Sequence, residues 1–259
     1  MRTGAARSPA TLDAYVLHRY DWSESSLILD LFTREHGRLA VAAKGAKRPY
    51  SQLRAVVLPF QRLHVVLARP RRGAEDDAPP EVQTLRSAEW AGGAAMLTGS
   101  ALFAGFHCNE LVMKLLARGD AHAILFDAYA QTLPALAGAD DARQAAALRA
   151  FELVLLREIG VLADLGVVTA TQRAVQPGEF FTLQPEAGVA RAVAGDAGVP
   201  GELLVAAQAA LAIGSMDALR DACAAAPAAF KAALRPLLHY HLGKPTLSTR
   251  QVMLELRTL

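Results

Sequence analysis

The hydrophobic pattern of this chain changes its period near residue 92, and this change limits the fold more than any other sequence feature. Up to about residue 90, apolar and polar residues alternate over short runs, as they do in half-buried β-strands. After Gly92 and Gly93 the apolar residues recur at helical spacing. The sequence therefore predicts a small β-rich domain at 1–91 and a helical domain at 92–259.

The β-rich part contains five short strand-like runs and one polar loop. The loop, RPRRGAEDDAPP at 69–80, is too polar and too rich in proline and glycine for a core. Five short strands fit a small antiparallel barrel, with a five-stranded oligonucleotide-binding barrel (OB-fold) as the first choice and an SH3-like barrel as the alternative. The predicted strands are 12–20, 27–33, 38–44, 58–68 and 82–90.

The second part is predicted to be mainly α-helical, which makes the fold class α+β. Asp140 and Asp141 stand in the first turn of one helix, where carboxylates complement the helix dipole. Residues 165–199 are richer in Gly, Pro, Val and Thr, and they predict an irregular or two-stranded insertion in which Phe180 and Phe181 are buried. The predicted helices are 94–117, 121–137, 140–159, 200–213, 217–224, 227–242 and 248–257.

A basic segment at 37–54, GRLAVAAKGAKRPYSQLR, interrupts the β-rich part and holds no Asp or Glu. Residues 1–72 carry 13 Lys or Arg against 5 Asp or Glu, whereas residues 73–259 carry 14 against 20. Such polarisation suggests that one part of the molecule meets a polyanion. A loop that projects fixed positive charges suits a phosphate backbone, because each neutralised phosphate releases condensed counterions. A solvated surface loop is the alternative.

Several classes of protein are disfavoured by what the sequence lacks. Cys108 and Cys223 form no CxxC pair, so neither a disulfide framework nor the usual zinc site is predicted. No apolar run approaches the ~20 residues of a membrane span, and no signal-peptide core is present. No GxxxxGK[ST], GxSxG or HExxH motif occurs. We therefore expect a cytoplasmic protein that is not an enzyme and has no catalytic residues, cofactor or metal.

Seven short motifs are spread over nearly the whole chain: WSES at 22–25, LFT at 31–33, AKGA at 43–46, TLRSAE at 84–89, NEL at 109–111, RAFEL at 149–153 and GKP at 243–245. Taken in this order, they resemble the RecO family of DNA repair proteins. The resemblance implies an OB-fold followed by a helical domain, and a nucleoid-associated recombination mediator. Such a mediator binds single- and double-stranded DNA and anneals complementary strands coated by the single-strand binding protein SSB. With RecR, it helps to load RecA onto DNA.

The sequence departs from the family pattern at one point. Many members carry a four-cysteine zinc module after the helix that corresponds to 140–160, whereas the same stretch here has no cysteine. The chain therefore resembles the zinc-free branch of the family, and metal binding is not expected.

The candidate site residues fall into two groups. Tyr50 is the best candidate for stacking on bases, since aromatic platforms hold single strands in OB-folds. In the family, the arginine that matches Arg149 lies at a site for the acidic, hydrophobic C-terminal tail of SSB. An arginine beside an apolar pocket can pair with a terminal carboxylate. The predicted DNA contacts are Arg34, Arg38, Lys44, Lys47, Arg48, Tyr50 and Arg54, with Arg19, Arg62 and Arg69 as weaker candidates.

Contacts of this kind hold the phosphate backbone without reading bases, so DNA binding is expected to be independent of sequence. Two other functions stay open from the residues alone. One is a protein-interaction scaffold whose basic OB-fold face meets an acidic partner. The other is a nuclease, which would need convergent carboxylates or a metal site.

Overall fold

The computed structural model describes residues 10–68, 81–92, 96–137, 140–193 and 195–243, together with Leu247 and Thr249. The polar loop at 69–80, Arg69 and most of the predicted helix at 248–257 lie outside the described residues. The chain divides into two compact units. Unit 1 comprises Met1–Ala94 and Ala117–Phe126, and unit 2 comprises Ala95–Leu116 and Asp127–Leu259. Residues 117–126 thus belong with the barrel although they follow a helix of unit 2.

Unit 1 is a closed five-stranded barrel with the strand order β1-β2-β3-β5-β4, which confirms the predicted OB-fold. All neighbouring strands are antiparallel except β3 and β5, which pair in parallel. The predicted bounds of β2 and β5 are correct. The strands are β1 (Thr11–Asp21), β2 (Leu27–Thr33), β3 (Gly37–Ala43), β4 (Arg62–Leu67) and β5 (Val82–Trp90).

Alternate strand residues fill the barrel with branched side chains. Leu29, Leu31, Val41, Leu63 and Val65 are fully buried in one cluster. Burying each such side chain contributes about 1.5–3 kcal/mol. The barrel core is therefore built from alternate residues of these strands, a facing that the sequence alone left open.

The outer side of the barrel is covered as well, by residues 117–126. Phe126 packs against Tyr15 and Phe32, with ring centroids 5.3 and 5.5 Å apart. Gly37, with φ of 61°, approaches this segment so closely that an added Cβ would lie 1.7 Å from the carbonyl oxygen of Asp120. This cover explains why every residue of β3 is buried.

The connection from β3 to β4 differs from the prediction. It contains one helical turn, α1 (Leu53–Val56), which the sequence did not predict. The predicted strand at 58–68 begins only at Arg62, because Phe60 adopts a positive φ of 68° that turns the chain. The basic segment therefore ends in a compact loop that leads into β4.

Unit 2 is built around a helix, α4, that is buried along most of its length. Its N-terminus is capped by Asp140, whose carboxylate accepts a 2.8 Å hydrogen bond from the amide of Ala142. Helices α2, α6 and α7 pack on α4. The helices are α2 (Gly99–Leu115), α3 (Ala123–Leu136), α4 (Asp141–Glu158), α5 (Gly201–Ile213), α6 (Met216–Ala225) and α7 (Pro227–Leu242), of which α3 begins in unit 1.

The predicted insertion is more ordered than expected, with two small antiparallel sheets in place of an irregular or two-stranded segment. Phe181 is buried but Phe180 is 55% exposed, so the predicted buried pair is wrong. Adjacent strand residues point to opposite faces, which accounts for the difference. The strands are β6 (Val167–Val168), β7 (Arg173–Ala174), β8 (Phe180–Gln184), β9 (Gly188–Arg191) and β10 (Val199–Pro200).

None of the helices in the described part of the chain is long and apolar enough to cross a membrane.

Candidate nucleic-acid interface

The basic segment forms a turn directly after β3, and this turn is fastened to the tip of the β1–β2 hairpin. The amide of Lys47 donates a 3.0 Å hydrogen bond to the carbonyl oxygen of Ser25. The amide of Gly45 donates a 3.3 Å hydrogen bond to Oγ of Ser26. The turn is thus positioned by hydrogen bonds that its own backbone amides donate to the hairpin tip.

Lys47 is the best anchored of these side chains. Its Nζ donates to the carbonyl oxygen of Ser23 at 3.0 Å and lies 3.1 Å from a carboxylate oxygen of Asp21. The Asp21 side chain is 81% exposed, and exposed ion pairs contribute only about 0–1 kcal/mol. A phosphate can therefore compete for Lys47 at little cost.

Three cations converge beside this anchor. Arg19, Lys47 and Arg54 line one cavity of about 480 Å³, together with Asp21 and Leu27. Like charges in one cavity repel, so an anion between them is favoured by Coulomb attraction. The sequence ranked Arg19 among the weaker candidates because the facing of β1 could not be read. The structure places Arg19 beside the basic turn.

The basic turn and the β1–β2 hairpin tip carry further charges and exposed rings. Lys44 and Arg48 are exposed in the basic turn. Tyr50 is 99% exposed, and Trp22 at the hairpin tip is 56% exposed. Positive charge beside exposed aromatic rings is the combination that non-specific single-strand binding uses. We call Arg19, Lys44, Lys47, Arg48, Tyr50 and Arg54 the basic cluster.

Arg34 is not part of the basic cluster. It is exposed and follows β2 at the end of the strand opposite to Leu27. At about 3.3 Å per residue, the length of β2 separates Arg34 from the hairpin tip by about 20 Å. The structure therefore does not bring Arg34 together with the other predicted contacts.

Arg38 requires a correction, since the sequence placed it in the DNA-contact set. Its side chain is buried, and it donates to both carboxylate oxygens of Asp30, at 2.9 and 3.4 Å. Arg118 also lies 3.6 Å from Asp30. The physical reason is the cover that residues 117–126 place over β3. We therefore remove Arg38 from the contact set.

Arg62 is engaged elsewhere on the barrel. Its Nη2 lies 2.9 Å from a carboxylate oxygen of Asp13, whose other oxygen is 3.2 Å from Nε2 of His64. Its position on β4 and this pairing set it apart from the basic cluster.

Unit 2 contains a second candidate site, a pocket of about 370 Å³ between α2, α4 and α7 that Arg149 lines. Arg149 is 9% exposed and lies on α4. The pocket walls are largely apolar, and positively charged side chains lie between the apolar residues. Its lining includes Phe103, Ala104, His107, Leu148, Arg149, Glu152, Lys231, Arg235, Leu238, His239 and Leu247.

One buried carboxylate contacts two of the basic side chains that line this pocket. Glu152 is fully buried, with one oxygen 2.9 Å from Nε2 of His107 and the other 2.8 Å from Nη1 of Arg149. Helix α7 adds Lys231 and Arg235, which share a face because they are four residues apart. Sequence reasoning missed these α7 cations, and their spacing on a predicted helix was the signal that could have found them.

Neither cysteine is exposed. Cys108 and Cys223 are buried in unit 2, and desolvation raises the pKa of both thiols, that of Cys223 to about 12. The nucleophilic and metal-binding form is the thiolate, which such burial disfavours. Within the described residues, His, Cys, Asp and Glu side chains form no group of three that could hold a metal ion.

Comparison with known proteins places the chain among the proteins of DNA recombination and repair. The family described as "Recombination protein O N terminal" matches residues 8–77, and the family described as "Recombination protein O C terminal" matches residues 96–250. The chain belongs to the RecO family.

Similar relatives are each named DNA repair protein RecO. That of Variovorax paradoxus (strain S110) is 48% identical over 255 residues, which cover 95% of this chain and 96% of the relative. That of Polaromonas naphthalenivorans (strain CJ2) is 49% identical over 249 residues, with the same shares covered. That of Acidovorax ebreus (strain TPSY) is 46% identical over 267 residues, covering 98% of this chain and all of the relative.

Proposed function

We propose that this DNA repair protein is a recombination mediator without enzymatic activity. It binds single- and double-stranded DNA, anneals complementary strands coated by SSB and, with RecR, promotes the loading of RecA. Membership of the RecO family supports this role. The observation that carries it is the convergence of Arg19, Lys47 and Arg54 on one cavity, with the exposed ring of Tyr50 in the loop between Lys47 and Arg54. Such a role places the protein in the cytoplasm, at the nucleoid.

DNA binding by the basic cluster is electrostatic. Its Lys and Arg side chains neutralise phosphates, and the released counterions supply the free energy. Tyr50 adds stacking on an unpaired base, worth about 1–3 kcal/mol per base. Because phosphates and ring faces occur at every nucleotide, binding is independent of base sequence.

The pocket of unit 2 is the proposed site for the C-terminal tail of SSB. Arg149 would pair with the terminal carboxylate, since arginine forms strong charge-assisted hydrogen bonds with carboxylates. Lys231 and Arg235 would meet acidic residues of the tail, and Phe103 and Leu238 offer apolar surface to its aromatic end.

The two sites act together because they belong to one chain. A protein held on SSB by its pocket raises the local concentration of the basic cluster near the coated strand. Two strands with partly neutralised phosphates repel each other less, and pairing becomes faster. The mediator therefore acts by bringing the basic cluster close to the coated strand and by neutralising phosphate charge.

The test is the annealing of two complementary strands coated with SSB, with full-length SSB compared with SSB that lacks its tail. We expect faster annealing that depends on the tail. Equal annealing with both forms would refute the tail site and leave the DNA role in place. Absence of annealing and of DNA binding at low salt would refute the mediator role and favour a scaffold for an acidic protein partner.

A further inference from the structure

The barrel wall has two faces at the end of β1, and the cavity of the basic cluster lies on one of them. Arg19 lies opposite Leu29 in the pairing of β1 with β2, and Leu29 is part of the barrel core. Cross-strand partners share a face of the sheet, so Arg19 lies on the core side, at the cavity that it lines with Lys47 and Arg54. The residues on either side of Arg19 therefore point to the outer face.

His18 and Tyr20 form a ring pair on this outer face. Their cross-strand partners are Asp30 and Ile28, and the pairing of β1 with β2 is regular after His18. The two rings contact each other edge to face, with centroids 4.4 Å apart. Both residues are exposed, Tyr20 by 46%. The outer face thus presents aromatic surface on the side of β1 that faces away from the cavity.

The ring pair is suited to stacking on an unpaired base. Aromatic side chains hold single strands in this way, and such stacking tolerates any base. The contact with His18 restricts the ring of Tyr20, so less side-chain freedom is lost when a base stacks on it. Ile28 is half-buried opposite Tyr20 and extends the apolar surface.

The same face carries a positive charge for a phosphate. Asp30 is the cross-strand partner of His18, so it lies beside the ring pair. This carboxylate is buried, with Nη2 of Arg38 at 2.9 Å and Nη2 of Arg118 at 3.6 Å. The side chain of Arg118 is 46% exposed, and its ion pair with Glu81, at 3.9 Å, is weak because Glu81 is 89% exposed. A phosphate can therefore compete for Arg118.

We propose that the outer face of β1 is a second site for an unpaired DNA strand. Tyr20 stacks on a base, His18 positions the Tyr20 ring, and Arg118 contacts a phosphate. We call these three residues the outer-face site. One chain then holds two single strands, one on each face of β1. This inference rests on the proposed annealing function, because it names how the second strand is held.

A nucleic-acid strand fits this face better than a protein does, for two reasons. The outer-face site repeats the chemistry of the basic cluster, in which an exposed ring accompanies guanidinium charge. It also adjoins the basic cluster through a single strand, β1, so a base-paired product can form next to both sites. The basic cluster has more cations and is the tighter of the two sites.

The experiment counts the strands that one chain binds. The probe is an oligonucleotide of about four nucleotides, the lower end of the site size of an OB-fold, so that one molecule does not fill both faces. Native mass spectrometry at low salt should show two oligonucleotides on the unaltered chain. Tyr20→Ala should bind one, because only the basic cluster is left. Its annealing of complementary strands should be slower by about fivefold or more, as expected for the loss of one stacking contact.

A matched control exists in unit 2. Tyr240 is 54% exposed, and its ring also contacts an imidazole edge to face, that of His241 at 5.2 Å. Tyr240→Ala should leave both the number of bound strands and the annealing rate unchanged. Circular dichroism of each variant checks that it is folded.

Two further changes test the other members of the outer-face site. His18→Ala should weaken binding of the second strand, and His18→Phe should restore it, because a second ring again holds Tyr20 edge to face. Arg118→Gln should make the salt dependence of the second binding step less steep by about 0.7, the loss of one phosphate contact. Arg38 keeps Asp30 paired in that variant.

The outcomes separate the inference from the proposed function. One strand on an unaltered chain that anneals DNA would overturn the outer-face site and leave the proposed function standing. Two strands on Tyr20→Ala would do the same, and so would an equal loss in Tyr240→Ala. An unaltered chain that neither binds nor anneals DNA would overturn both.

Discussion

The basic cluster of unit 1 and the pocket of unit 2 both present arginine and lysine, but they hold these charges in different ways. In the basic cluster, Lys47 shares an exposed ion pair with Asp21, and Tyr50 is almost fully exposed. In the pocket, Arg149 is 9% exposed and paired with a fully buried carboxylate. Many loosely held charges suit a repetitive polyanion, whereas few fixed charges beside apolar walls suit one defined peptide end.

The largest effect is expected from charge reversal in the basic turn. Lys44→Glu, Lys47→Glu and Arg48→Glu together should lower DNA affinity by a factor of about 100 or more at moderate salt, because attraction to several phosphates becomes repulsion. Annealing should be abolished, whereas binding of the SSB tail peptide should be unchanged. Fluorescence anisotropy with labelled DNA and with labelled peptide measures both.

A matched control separates location from net charge. Arg143→Glu, Arg173→Glu and Arg191→Glu change the net charge by the same amount at exposed positions of unit 2. Nearly unchanged DNA binding is expected for this control. An equal loss in the two triple variants would show that overall charge, rather than the basic cluster, governs binding.

A second large effect is expected on the free energy of unfolding, without an effect on DNA affinity. Arg38→Met removes the main partner of the buried Asp30 carboxylate, and breaking a buried ion pair in this way costs about 3–5 kcal/mol. Arg118 also lies near Asp30, so the lower end of that range is expected. Urea denaturation measures the free energy of unfolding.

The DNA affinity of the folded Arg38→Met protein should not change, because Arg38 is buried. Loss of DNA affinity with unchanged stability would restore Arg38 to the contact set.

Binding of the tail peptide in the pocket should depend on the planar geometry of the arginine side chain more than on its positive charge. Arg149→Lys keeps the positive charge but loses the planar fork that pairs with a carboxylate, so tail-peptide affinity should fall by about tenfold. Arg143→Lys on the same helix is the control, since its side chain is 85% exposed. The DNA affinity of both variants should match that of the unaltered chain. A loss of DNA affinity in Arg149→Lys would show that Arg149 also contributes to DNA binding. The pocket and the basic cluster would then not be separate sites.

A smaller effect is expected for the aromatic part of the basic cluster. Tyr50→Ala should weaken single-strand binding by about fivefold, at the low end of the stacking range, because an exposed ring is only partly ordered before binding. Double-strand binding should change less, since paired bases offer no free ring face. Equal losses on both DNA forms would mean that Tyr50 acts by a route other than stacking.

The sequence predicted well the features that depend on neighbouring residues, and poorly those that depend on residues far apart in the chain. Strands β2 and β5 follow from alternation. Five strands and a polar loop predicted a small barrel, with the OB-fold as the first choice and an SH3-like barrel as the alternative. The burial of Arg38 could not be predicted from the sequence, because residues 117–126, which cover it, lie about 80 positions later in the chain. Arg149 was found only through the family resemblance, whereas His107 and Glu152 became visible once α2 and α4 were packed together.

The central claim is that the lysines and arginines of the basic cluster bind DNA by neutralising phosphates. The most direct measurement is the salt dependence of single-strand affinity for the unaltered chain and for the double variant Lys44→Gln, Arg48→Gln. The slope of log affinity against log salt is negative, and each lost phosphate contact should reduce its magnitude by about 0.7, so a slope less steep by about 1.4 is predicted. The same slope in both proteins would contradict the account.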